Sequence, residues 1–148
     1  MKKLKLISIL SLLFVLNVAS MCSDDDDTST QVSNPTEIAS TLADGQWIVT
    51  LYKENDVVQT SNYSGYNFTF GTDSALSATN GTTTQSGDWS TYTDSGYTKL
   101  DMMFTALDGP FEEISEDWRV ISRTTTKIEL KHISGGDGST DYLTFEKD

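Results

Sequence analysis

The chain has 148 residues, which leaves room for one domain with a core of modest size once a leader is set aside. Its formal net charge is -12, and beyond residue 21 there are 7 basic against 22 acidic residues, a net of -15. A phosphate backbone needs a basic surface to bind, so this balance argues against nucleic acid as a partner and is otherwise what a soluble surface requires.

The chain opens with Lys2, Lys3 and Lys5, an apolar run from Ile7 to Val18, and the small residues Ala19 and Ser20. These are the parts of an export signal, and a bilayer span takes about 20 apolar residues, so residues 1–21 are expected to be cleaved rather than to anchor. Cys22, the chain's one cysteine, follows directly. It has no internal disulfide partner, and a free thiol in an oxidising compartment is open to oxidation. The stretch NVASMC resembles the lipobox of bacterial lipoproteins, with Met21 where that family usually has Gly, Ala or Ser. The resemblance implies that Cys22 carries a diacylglyceryl thioether and heads the mature chain. The alternative is ordinary cleavage after Ala19 or Ser20, which releases a soluble protein. Ser23, Asp24, Asp25, Asp26 and Asp27 resemble the acidic export signal of Bacteroidota surface lipoproteins, which implies an outer-membrane lipoprotein exposed at the cell surface. Read without that resemblance, they are a solvated spacer, and residues 22–33 have too little apolar content to fold.

Order is expected from NPTEIASTLADG onward, and residues 34–148 form the domain. Asn34 suits a helix cap, Pro35 the first helical position, and Ile38 and Leu42 share one face before Gly45 closes the segment. The hydrophobic period then changes to two. Trp47, Val49 and Leu51 alternate with Ile48, Thr50 and Tyr52, Tyr66, Phe68 and Phe70 alternate with Asn67 and Thr69, and Leu100, Met102 and Phe104 follow the same period. Turn residues separate eight strands at 46–53, 62–71, 74–80, 83–92, 96–104, 115–123, 125–133 and 139–147. Eight short-linked antiparallel strands with one apolar side and a single short helix bury that side by closing into an up-and-down barrel. A two-sheet sandwich accommodates the same alternation. In the long connection 105–115, Pro110, Phe111 and Ile114 suggest a helical turn capping one barrel end.

The order of a short helix, Gly45-Gln46-Trp47 at the head of the first strand, and an eight-strand meander containing GDWS and EDWRVI is similar to the lipocalin-like domains of Bacteroidota lipoproteins. That resemblance covers residues 36–148. It implies an all-β lipocalin-like barrel in which Gly45 permits close backbone approach and Trp47 plugs the closed end. No arginine near the C-terminus corresponds to the one that stacks on this tryptophan in the family. The resemblance also implies that Tyr66, Phe68, Phe70, Trp89, Met102, Phe104 and Trp118 line a cavity for a small apolar or amphipathic ligand. Eight strands enclose just enough room for side chains or one small ligand, so an interior filled by these residues is the other reading. In that case the barrel is an envelope interaction module, working through its outer face or rim beside an outer-membrane partner.

Catalysis finds little support in the residue types. His132 is the only histidine and falls by phase at the end of a strand, there is no nucleophile elbow, and paired acids are commonplace in a chain this acidic. GGDGSTD offers Asp137 and Asp141 but lacks the ligand count of a calcium loop, and a glycine-rich hairpin explains it. Neither an enzyme, a cofactor nor a metal site is expected.

Overall fold

The computed structural model describes residues 33–148. The leader, Cys22, Ser23 and Asp24 to Asp27 lie outside the described residues. Helix α1 (Pro35–Leu42) starts where Asn34 Oδ1 accepts from the Glu37 amide at 3.0 Å, and Pro35 takes a position whose amide would lack a helical partner anyway. Ile38 and Leu42, one turn apart, are both fully buried.

Nine strands follow: β1 (Trp47–Glu54), β2 (Val57–Val58), β3 (Asn67–Phe70), β4 (Ala75–Thr79), β5 (Thr84–Asp94), β6 (Tyr97–Phe104), β7 (Asp117–Arg123), β8 (Lys127–Ile133) and β9 (Thr140–Lys147). A 3₁₀ turn occupies Thr60–Tyr63, and α2 (Pro110–Glu113) lies between β6 and β7. Setting β2 aside, each strand pairs antiparallel with its sequence neighbour, and β9 returns to β1 through six registered pairs from Trp47 with Lys147 to Lys53 with Tyr142. The sheet is a closed eight-stranded up-and-down barrel, not a sandwich.

All eight strands expected from the alternation are present, with one shortened and one added. The second was expected from 62 and begins at Asn67, because the 3₁₀ turn swings Tyr63 into the core, where it meets Tyr52 and Phe111 edge-on at 5.4 and 5.7 Å. The added β2 folds back on β1 through Asn55 and Asp56, whose φ of 46° and 66° give the positive pair that two-residue hairpins favour.

Both barrel ends are covered. At one, α1 lies over the mouth: Thr91 Oγ1 donates to Pro35 O at 2.9 Å and Thr98 Oγ1 to Ser33 O at 2.6 Å. At the other, α2 lowers Phe111 onto Phe68 and Phe104, Tyr63 donates its hydroxyl to Pro110 O at 2.6 Å, and Trp118 Nε1 donates to Ile114 O at 3.0 Å. The connection 105–115 thus supplies the expected helical cap.

Candidate functional site

The alternation that builds each strand also decides what faces inward. Phe68, Phe70, Met102 and Trp118 are at most 1% exposed, Phe104 and Trp89 are buried, and Tyr66 is partly buried against the ring of Phe111. Their rings meet one another: Phe68 lies 6.2 Å from Phe104 and 5.2 Å from Phe145, and Phe70 lies 5.3 Å from Trp89 and 5.6 Å from Phe145, all at steep angles. Edge-on packing of this kind fills space from both sides of the barrel axis. Of the seven residues, Trp89 borders an outer cleft of about 400 Å³ between α1, the turn from β3 to β4 and β5. Trp47 is fully buried at the α1 end, donates Nε1 to Leu42 O at 2.9 Å, and has Lys147 Nζ 5.7 Å from its ring. Where the lipocalin resemblance would put an arginine on that ring, this chain has a lysine, itself held by Asp44 at 2.6 Å. Gly45, at φ 99°, makes the turn that feeds Trp47 inward.

The α2 end is chemically different. Glu54 at the end of β1, Glu112 and Glu113 of α2, Glu116, His132 at the end of β8, and Asp137 and Asp141 across the β8–β9 turn border an almost wholly polar cleft of about 270 Å³. These positions converge because strand ends of one polarity share a barrel rim. His132 is part of its lining, with its ring 5.9 Å from that of Trp118. Its Nε2 lies 3.7 Å from both Glu116 Oε2 and Asp117 Oδ1, and its Nδ1 lies 4.0 Å from Asp141 Oδ2. The donor atoms of Glu116, Asp117 and His132 lie within 4.8 Å of one another, a spacing a divalent cation can bridge, although Lys99 already holds Asp117 at 2.8 Å.

The cleft's field follows from its carboxylates. Burial, with Glu54 and Glu112 nearby, raises the Glu113 carboxyl above the ordinary glutamate range, and its Oε2 is buried without a hydrogen-bond partner in the described structure. Burial first, then Glu54, Glu113 and other rim acids, raises the Tyr52 hydroxyl as well. Asp137 goes the other way, because the Ser139 amide donates to its carboxylate at 2.9 Å. His132 was placed at a strand end by phase alone. The convergence of Glu54, Glu113 and Asp141 on the same cleft had no signal along the chain, since these residues meet only once the barrel closes.

The fold and its covered ends define a class: small antiparallel barrels of eight strands with a helix over one mouth. No protein-family model and no curated protein matches the chain. Among solved structures, it is similar to a DUF4847 family protein from Bacteroides vulgatus, at 14% identity and a TM-score of 0.51, over 75% of this chain and 97% of that one. At this identity the likeness is one of fold.

Proposed function

We propose that this chain is an outer-membrane lipoprotein of a Bacteroidota bacterium, held by acylated Cys22 and exported under the signal of Ser23 and Asp24 to Asp27. Its lipocalin-like barrel is a non-enzymatic interaction module that works through its outer face and rim. The observation that carries this reading is the interior: twelve large side chains, Trp47, Phe68, Met102, Trp118 and Phe145 among them, have less than 2% exposure, and the aromatic rings pack edge to face across the space a ligand would need. The fold it shares with a Bacteroides protein supports the assignment of source. Small-molecule carriage inside the barrel is the competing function.

Two measurements separate them. Native mass spectrometry of protein extracted gently from its own membrane is expected to show acylated chain with no stoichiometric passenger. A co-purified apolar molecule released only on unfolding would assign carriage instead. Metabolic labelling with a fatty-acid precursor is expected to label the wild-type chain and leave Cys22→Ala unlabelled and soluble. Membrane association that survives this substitution would overturn the tether.

A further inference from the structure

Residues 33–148 hold 18 acidic and only 7 basic side chains, so carboxylates are available almost everywhere to neutralise a cation. Five of the seven cations have one: Lys53 with Asp56, Lys99 with Asp117, Arg123 with Glu37, Lys127 with Glu129 and Lys147 with Asp44, at 2.6 to 3.4 Å. Among the described residues, Arg119 and Lys131 have no carboxylate within that reach. These two are not scattered. They are register partners on β7 and β8, and the row they belong to runs unbroken across the outer face as Lys99, Arg119, Lys131 and Tyr142.

Like charges directly opposite each other on neighbouring strands destabilise a sheet. Two unneutralised cations side by side, in a domain with a large excess of acid, are therefore a feature the fold maintains at some cost. Their surroundings suit a ligand. The Arg119 guanidinium carbon lies 3.2 Å from the centre of the Tyr97 ring. Stacked in this way, a guanidinium keeps its in-plane N–H edge free, and that edge matches two oxygens of one oxyanion. Tyr97, Arg119 and Lys131 together border two adjoining concavities of about 310 and 170 Å³. Exposed Ile133 flanks the larger and exposed Ile121 the smaller. Asp94 and Asp117 also border the larger one: Asp117 is taken up by Lys99, and Asp94 accepts from the neutral Ser95 hydroxyl at 3.1 Å, so two cations face one unneutralised carboxylate there.

We infer that Arg119, Lys131 and Tyr97 form an anion-binding site for a phosphate group carried on a molecule with an apolar or ring face: Arg119 takes two oxygens, Lys131 a third, and Tyr97 and the isoleucines cover the attached body. The phosphate arrives either on a soluble phosphorylated compound or on a lipid headgroup. The inference rests on the outer-face reading above, and the two fail separately: a passenger found inside the barrel would sink that reading without touching this site.

The test uses the full chain, expressed without acylation, and two probes. With inorganic phosphate followed by ¹H–¹⁵N NMR, saturable shifts are expected at the Tyr97 and Lys131 amides and at Arg119 Nε. Arg119→Gln and Lys131→Gln should each weaken binding about tenfold or more, while Lys127→Gln, whose cation is already paired on the same strand, should not. With vesicles, sedimentation is compared between phosphatidylglycerol and phosphatidylcholine, and between wild type and Lys131→Gln, a difference the apolar leader cannot produce. Preference for phosphatidylglycerol that Lys131→Gln abolishes assigns the headgroup. Phosphate binding without that preference assigns a soluble ligand. Absence of saturable shifts and of vesicle preference alike, or shifts spread evenly over all seven cations, would overturn the site.

Discussion

Glu113 shows how one side chain couples the rim to solution conditions. Its Oε2 is buried with no hydrogen-bond partner in the described structure, and burial, helped by Glu54 and Glu112, raises its carboxyl above the ordinary range. A carboxyl raised by folding binds its proton more tightly in the folded state, so its contribution to stability is complete below about pH 4.3 and is lost as pH climbs through the raised value. Glu113→Gln carries no charge to desolvate. It is expected to melt higher than wild type at pH 7 and to match it near pH 4, a convergence that thermal melts across that range would show. A gap independent of pH would mean that ionisation of Glu113 is not the cause. At this scale the sequence was half legible. Phase placed His132 at a strand end and Trp47 at the head of the first strand, because both depend on local alternation, whereas the place of Trp47 at a barrel mouth came from the family resemblance alone. The lone pair Arg119 and Lys131 was invisible, because it is defined by which carboxylates the other five cations consume, and that is settled by cross-strand register.

Among the elements, α1 is the one whose position needs explaining, since eight residues are too few to hold a helix by propensity. Its two buried residues, Ile38 and Leu42, anchor one face, and Arg123 at the end of β7 grips the other. The guanidinium donates from Nε to Ser33 Oγ at 2.8 Å, from Nη1 to Thr41 Oγ1 at 3.0 Å and from Nη2 to Glu37 Oε2 at 3.4 Å. Three diverging acceptors on one planar group are a demand that a lysine cannot meet. Arg123→Ala is expected to cost about 1–3 kcal/mol and to remove hydrogen-exchange protection from Ile38 to Leu42 while leaving β8 and β9 protected. Arg123→Lys should recover less than half of that protection. The cap and stripe that start this helix were readable, as were all the main strands, because each is written in a few consecutive residues. The clamp was not, since Arg123 and Ser33 are 90 positions apart. The 3₁₀ turn was also hidden: YSGYNFTF alternates well enough to pass for strand, and Tyr63 turns inward only because Tyr52 and Phe111 await it.

For the whole molecule the question is where the barrel would open first. Closure between β9 and β1 is strong, with six registered pairs and the buried Leu143 and Phe145 behind them. The seam between β1 and β3 is different, because Trp47 with Phe68 is its one registered pair. Beyond that point the chain replaces ladder with plug. The 3₁₀ turn fills the gap, and Thr60 Oγ1 accepts from the Tyr52 amide at 2.9 Å where a β3 carbonyl would stand in a complete sheet. A buried backbone donor left unpaired costs about 1–3 kcal/mol, so that one hydroxyl carries more of the closure than its size suggests. Thr60→Val keeps the volume and removes the acceptor. It is expected to lower stability by about that amount, and hydrogen exchange should show the Tyr52 amide losing protection before any amide of the β8–β9 ladder. Uniform loss across all strands would mean instead that the barrel opens as one unit and that its weakest seam is not a separate door.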